Sequence, residues 1–173
     1  MSLSIHEASA PVFRAALASM SAWLDKPEAR AKEAELIEAR LAPDMRPFTS
    51  QYQIASDTAK NAMARLAGIE APAMADNEAS FAELQDRCAR TIAFIDSVGS
   101  DALEGAETRE VVLRFPNGMG YRFQGKDYLT GFALPNFFFH ATIAYALLRA
   151  NGVPVGKPDF LQHLGQPSVM DPA

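Results

Sequence analysis

The chain has 173 residues, of which 49% are hydrophobic and 21% are charged. This length predicts one domain with a substantial core, and the composition is typical of a globular protein. The formal net charge is −5, and the Lys and Arg residues are scattered along the chain. Nucleic-acid binding needs clustered basic residues, so we expect no nucleic-acid partner.

The compartment can be inferred from the cysteine content and from the apolar segments. Cys88 is the only cysteine, which excludes an internal disulfide and fits a reducing environment. The first residues lack the basic and apolar regions of a secretory signal. The most apolar stretch, 132–148, is shorter than the ~20 residues of a membrane span and contains Pro135, Asn136 and His140. We therefore expect a cytoplasmic protein that does not interact with a membrane.

The first predicted helix covers residues 4–24, where apolar residues recur every three or four positions. Ser4 and Glu7 have the spacing of a capping box, which predicts a start at Ser4. A start at Ser9 is the alternative, because it places Pro11 in the first turn, where its missing N–H is harmless.

Three further helical segments are predicted before residue 100. A short charged helix over 27–40 is expected to cross one end of the fold, and a long helix over 47–67 ends at Gly68. A third long helix is predicted over 78–98. Cys88 lies on its apolar stripe, which indicates a buried and inert thiol.

Residues 110–124 change to alternating apolar and polar positions around Asn117-Gly118, the pattern of a short β-hairpin. A lone hairpin is only marginally stable, so we expect it to pack on the helices. The fourth long helix is predicted within 126–150, split by Gly131 and Pro135. Residues 1–165 are expected to form one domain and residues 166–173 a flexible tail.

A polar cluster is predicted inside the helical bundle. Asn136 and His140 are four residues apart, so both project from one side of the last helix. An unpaired buried polar group costs about 1–3 kcal/mol, so each side chain needs a partner. Asp57 on the second long helix is the predicted partner, with Gln53 and Asn61 on adjacent turns. These five residues form the predicted ligand pocket.

The cluster has three interpretations. Asp57 and His140 could hold a divalent metal such as zinc or nickel, with water at the open positions. Asp57 could instead orient His140 as a general base. The third interpretation is a structural hydrogen bond that fixes the helix register. His6 or His163 would complete a metal site only if the fold brings one of them to the same level.

The aromatic run Phe137, Phe138 and Phe139 predicts an additional contact surface. Three consecutive side chains on a helix point in three directions, so they cannot all face one core. At least one of them is expected to face another helical layer or another subunit, which predicts a homodimer.

Two stretches carry a family resemblance: LAPDMRPFTSQYQIASDTAKNAMARLAG, and the pattern FxxHxxxAYxLLRxNGVPVGKPDFLxxLG at 137–165. The chain resembles a bacterial family of unknown function in the DinB-like superfamily, which includes the DinB and YfiT proteins. The resemblance implies an all-α, up-down-down-up four-helix bundle, usually dimeric, and here a small hairpin separates helices 3 and 4.

Relatives in that superfamily include metal-dependent thiol transferases and hydrolases that use three histidines. One histidine comes from the second helix, and two others lie four residues apart on the last. His140 matches the later histidine of this pair, Asn136 occupies the earlier position, and the second-helix position falls near Gln53 or Asp57. Two of the three ligands are therefore absent.

Three functions follow from the sequence. The first is a DinB-like protein that binds a small molecule, with or without a divalent metal, in an altered polar pocket. The second is a non-catalytic dimeric scaffold in which the polar cluster is purely structural. The third is a metal-dependent thiol transferase or hydrolase.

Overall fold

The computed structural model describes residues 3–168, which are mostly helical and include one two-stranded antiparallel sheet. The elements in chain order are α1 (Ile5–Trp23), α2 (Pro27–Arg30), α3 (Glu33–Glu38), α4 (Phe48–Ala67), α5 (Phe81–Ser97), β1 (Glu110–Arg114), β2 (Gly120–Gln124), α6 (Gly125–Tyr128), α7 (Leu134–Ala150) and α8 (Lys157–Phe160). Short 3-10 turns lie at Asp101–Leu103, Ala106–Thr108 and Gln162–Leu164, and a π-helical turn lies at Leu129–Ala133.

The core lies among four long helices. Helix α4 packs against both α5 and α7, and α1 packs against α5 and α7 on the other side. Each helix contributes fully buried aromatic or sulfur-containing side chains to this core, which include Phe13, Trp23, Phe48, Tyr52, Met63, Phe81, Cys88 and Phe137. The predicted combination of a helical fold and one small hairpin is confirmed.

Helix α1 begins where the capping box predicted. The Glu7 backbone N–H donates to Ser4 Oγ over 3.1 Å, and the Ser4 backbone N–H donates to Glu7 Oε2 over 2.9 Å. These two bonds satisfy donors that a helix start otherwise leaves free. Pro11 therefore lies inside the helix and not in its first turn.

Two helix boundaries differ from the prediction. The segment over 27–40 forms two separate short helices, α2 and α3, because the backbone turns at Lys32 between them. Helix α5 begins at Phe81, and not at residue 78, because the Ser80 hydroxyl caps it by accepting from the Glu83 N–H. Segments rich in charged residues show little apolar periodicity, so the sequence predicts the ends of their helices poorly.

The last helix is continuous and not split. Helix α6, the π-helical turn and α7 follow one another without a break over Gly125–Ala150. Pro135 lacks an N–H and its ring would clash with the carbonyl four residues earlier. The π-helical turn comes directly before Pro135, and in it the Leu134 N–H donates to the Leu129 carbonyl. This wider turn accommodates the proline ring within the helix.

This 26-residue helix is long and apolar enough to cross a membrane by length and composition alone. The apolar stretch 132–148 thus belongs to a longer helix than predicted, so length alone does not exclude a span. The core helix of a soluble protein meets the same test. In this fold Phe137, Ala141, Ala144 and Leu148 are buried against the neighbouring helices.

The hairpin packs on the bundle as predicted. Val111 pairs with Phe123, and Leu113 pairs with Tyr121. Val111 and Leu113 are buried, and the Phe123 ring lies 6.0 Å from the Tyr128 ring, centroid to centroid. The two strands therefore obtain from α6 the apolar contact that a hairpin lacks when it stands alone.

The segment after α7 returns to α1. Val153 and Val155 are buried, and the Phe160 ring centroid lies 5.4 Å from that of Trp23. The Trp23 indole N–H also donates to the Asp159 carbonyl over 3.1 Å. Of the predicted tail at 166–173, residues 169–173 lie outside the described residues, and its flexibility stays a prediction.

A buried arginine joins α5 to α4 and to the connection before α5. The Arg87 side chain is fully buried; it donates to Glu78 over 2.8 Å and forms ion pairs with Asp57 at 2.9 Å and Asp76 at 3.0 Å. Lys60 also reaches Asp57, at 3.1 Å. We call these five residues the Arg87 cluster.

Arg87 and Glu78 stay ionised despite their burial. Burial alone lowers the pKa of Arg87, but Glu78, Asp57 and Asp76 outweigh that effect and raise it. Burial alone raises the pKa of Glu78, but hydrogen bonds from Arg87 and Gln53 outweigh it and hold this pKa below its usual value. Each charge therefore depends on its partner.

The neighbouring Cys88 thiol is fully buried, and burial raises its pKa to about 12. The thiolate is the reactive form of cysteine, so this thiol is inert at neutral pH. The predicted buried and unreactive cysteine is confirmed.

We expect Arg87→Ala to destabilise the fold by about 3–5 kcal/mol, because it leaves the Glu78 carboxylate buried without its counter-charge. The free energy of unfolding in urea measures this loss. Arg90→Ala on the same helix is the matched control. Arg90 pairs with Asp86 at the surface, so this change should cost less than about 1 kcal/mol. Equal effects of the two variants would contradict the proposed role of Arg87.

Candidate functional site

The predicted polar cluster separates into two groups on different sides of α4. Asp57 binds Arg87, and the Gln53 side-chain amide donates to Glu78 over 2.9 Å, so both residues face α5 and the connection before it. Asn136 and His140 bind other residues of α4. The predicted contact between Asp57 and His140 is not observed. The paired metal ligands Asp57 and His140 are therefore not brought together.

Gln51 is the residue of α4 that meets His140. His140 Nδ1 lies 2.8 Å from Gln51 Oε1, and Gln51 Nε2 donates to the Arg46 carbonyl over 2.9 Å. Gln51 and Asp57 are six residues apart, which is about 120° around a helix of 3.6 residues per turn. This angle explains why Asp57 faces α5 while Gln51 faces α7.

These bonds fix the protonation of the imidazole. The Gln51 amide nitrogen is used by the Arg46 carbonyl, so its oxygen faces the ring and accepts the Nδ1 proton. Burial lowers the pKa of His140, and the positive charge of Arg46 lowers it further. The ring is therefore neutral near pH 7. Its Nε2 atom is a bare acceptor that has no hydrogen-bond partner among residues 3–168.

Asn136 offers a second acceptor one turn away. Its Nδ2 donates to Thr58 Oγ1 over 2.8 Å, and the Thr58 hydroxyl donates in turn to the Ile54 carbonyl over 2.7 Å. The amide nitrogen is thereby held in place, and Asn136 Oδ1 stays available. We call Gln51, Thr58, Asn136 and His140 the polar seam between α4 and α7.

The sequence analysis missed Gln51 and Thr58. They lie seven residues apart, two turns of α4, so helical spacing alone places them on one face. That spacing was the available signal. Asn61, the remaining predicted pocket residue, is half-buried and makes no side-chain hydrogen bond within the described part of the chain.

The other two histidines do not join the polar seam. His6 lies beside Thr130, which is ten residues before His140 and so about 15 Å away along a helix. His163 lies beside Phe138 and α1. Phe138 is two residues before His140 on α7, which is about 200° around the helix and thus on its other side.

The polar seam does not fit the metal of the three-histidine relatives. It holds one imidazole and amide oxygens, whereas zinc sites commonly use three strong protein ligands. Within residues 3–168 no group of three or more His, Cys, Asp or Glu side chains is arranged to hold a metal ion. The interactions observed in the polar seam are hydrogen bonds.

Comparison with known proteins identifies the family. Residues 5–161 match the model described as a domain of unknown function, DUF1993. The chain is also similar to a crystal structure titled as a DinB family member protein from Shewanella denitrificans, at 34% sequence identity and a TM-score of 0.82. The match covers 97% of this chain and 96% of that one. No curated protein matches the chain. The chain therefore belongs to the DUF1993 family, within the DinB-like superfamily.

Proposed function

We propose that this protein is a cytoplasmic binding protein whose polar seam takes a small hydroxy acid. The proposal assumes the up-down-down-up helix order that the family resemblance implies. It depends on one observation: the bare Nε2 of a neutral His140 lies one helical turn from Asn136 Oδ1, and internal hydrogen bonds hold both groups in place.

The two acceptors define what the ligand must donate. A half-buried acceptor without a partner is unfavourable, so a ligand hydroxyl or amino group that reaches it gains a hydrogen bond. Both side chains are already oriented through Gln51 and Thr58, so little conformational entropy is lost on binding. The ligand therefore carries at least one O–H or N–H group.

The surroundings define the rest of the ligand. Arg46 is exposed, connects to His140 through Gln51, and forms no ion pair among the described residues, so it favours an anionic group. The Phe139 ring is 54% exposed and stands perpendicular to the His140 ring at 5.1 Å between centroids. It offers an apolar wall. A carboxylate, a hydroxyl and an apolar body together describe a hydroxy acid.

Binding is favoured over catalysis as the role of this site. The carboxylate that would orient His140 as a general base is Asp57, and Asp57 is held by Arg87 and Lys60 instead. The neutral Gln51 amide, and not a carboxylate, orients the His140 ring. An amide does not stabilise a protonated imidazole as a carboxylate does.

We expect the pKa of His140 to lie below its usual value and to rise in Arg46→Gln, because this variant removes a nearby positive charge. It should stay below the usual value, because burial persists. NMR titration of the His140 ring measures both values. Arg90→Gln on the surface of α5 is the control and should leave the pKa unchanged. An unchanged pKa in Arg46→Gln would show that Arg46 does not act on the ring.

We expect mandelate, which combines a hydroxyl, a carboxylate and an apolar ring, to shift the NMR signals of residues 136–140 saturably. Phenylacetate lacks the hydroxyl, and 1-phenylethane-1,2-diol lacks the charge. Each should bind about three- to tenfold more weakly, the value of one lost hydrogen bond or exposed ion pair. His140→Phe should abolish binding while circular dichroism shows an intact fold.

The proposal fails if phenylacetate binds as tightly as mandelate, because the acceptors would then contribute nothing. Binding of mandelate should also weaken as the pH falls through the pKa of His140, since protonation converts Nε2 from an acceptor to a donor. Binding that strengthens at low pH would indicate attraction by charge alone.

A dimeric scaffold is the second candidate function, and exposure of Phe139 favours it. Of the three consecutive phenylalanines, Phe137 is buried, Phe138 is half-buried and Phe139 is 54% exposed. A large exposed aromatic ring beside the half-buried Phe138 and Ile143 gives α7 an apolar outer surface.

We expect sedimentation equilibrium to show a dimer that Phe139→Glu converts to a monomer, because the variant places a charge in the apolar contact. Phe115→Glu is the matched control. Phe115 is 40% exposed on the hairpin, and its replacement should leave the dimer intact. A wild-type protein that sediments as a monomer at micromolar concentration contradicts the scaffold.

A further inference from the structure

A second cavity lies at another place in the fold, between the start of α1, the connection over residues 100–107 and the start of the last helix. Its volume is about 620 Å³, within the roughly 300–1,000 Å³ range of pockets that hold small molecules. None of the four residues of the polar seam lines it. We call it the end cavity.

The floor of the end cavity is apolar. Leu103 and Leu129 lie there, and both side chains are buried. Ala8 is half-buried on the α1 side, and Leu3 lies at the edge with 74% exposure. Such a surface gains free energy when an apolar group covers it. It provides no hydrogen-bonding side chain, so it is suited to a hydrocarbon body.

The rim of the end cavity is charged and unbalanced. Glu104, Glu107 and Lys126 line it and are exposed, and within residues 3–168 none of them forms an ion pair. The lining has two carboxylates and one ammonium group, so the formal charge of these three side chains is negative. A cationic group placed there is attracted by both glutamates.

We propose that the end cavity binds a small amphipathic amine. Its apolar body lies on the floor beside Leu103 and Leu129, and its ammonium group lies at the rim beside Glu104 and Glu107. This assignment rests on the shape and lining of the cavity alone. It is independent of the hydroxy acid proposed for the polar seam, which requires the opposite charge.

Phenethylamine is the probe, and phenylacetate, of similar size and opposite charge, is its matched control. The full-length chain is titrated at pH 7.5 and followed by amide NMR. We expect saturable shifts for residues 4–8, 100–107 and 126–130, with a Kd of about 1 mM, which is reasonable for a ligand with nine non-hydrogen atoms. Phenylacetate should produce no saturable shift in these three segments.

Three variants test the two parts of the site. The double variant Glu104→Gln/Glu107→Gln should weaken phenethylamine binding about fivefold, as expected for two exposed ionic contacts. Lys126→Gln should strengthen it, because the opposing charge is removed. Thr130→Trp fills the cavity from an exposed position and should abolish the shifts, while all three variants keep the wild-type circular dichroism.

The assignment is overturned if phenethylamine shifts map elsewhere or do not saturate. It is equally overturned if phenylacetate binds in the same three segments with equal affinity. A mandelate result at residues 136–140 has no bearing on this outcome, so the two proposed sites succeed or fail separately.

Discussion

The fold and the candidate site both depend on the Arg87 guanidinium. It is buried, and arginine does not lose its proton in proteins, so carboxylates have to accompany it into the interior. Glu78, Asp57 and Asp76 supply them. One consequence is that Asp57, the predicted partner of Asn136 and His140, is bound to Arg87 of α5 instead. The polar residues of α7 then pair with neutral groups, Gln51 and Thr58. The polar seam is uncharged because Asp57 and Lys60 of α4 are paired on its other side.

That division separates the two proposed binding sites by their chemistry. The polar seam presents acceptors on pre-oriented neutral side chains, and the positive charge of the exposed Arg46 acts on His140. The end cavity presents an apolar floor beneath a rim of two carboxylates and one ammonium group, none of which forms an ion pair within residues 3–168. One helix, Gly125–Ala150, contributes to both sites, with Lys126 and Thr130 at its start and Asn136 and His140 in its middle. A single helix therefore contributes residues to both proposed binding sites.

Helical spacing predicted the long helices, and alternation predicted the hairpin, because apolar side chains repeat with the period of the element that covers a core. Spacing also placed Asn136 and His140 on one face correctly. It did not identify the facing residues, because spacing shows which residues share a face but not which neighbouring helix that face meets. Asp57 was chosen as the partner for its charge, although Arg87, a buried cation on the next helix, competed for it. The π-helical turn was missed for a similar reason: Gly131 and Pro135 predict a disturbance of the helix but not how the backbone absorbs it.

The π-helical turn at Leu129–Ala133 also determines where the polar seam lies. A π-helical turn holds about one residue more than an α-helical turn. The side chains after it are therefore rotated about the helix axis by about 100° from where an uninterrupted α-helix would place them. Phe132 can thus lie against the hairpin aromatic Phe123 while Asn136 and His140 lie against α4. Deletion of one residue from this turn would present a different stripe of the same helix to α4. The number of residues in this turn therefore determines which side chains of the last helix face α4. None of the turn's own side chains belongs to the polar seam.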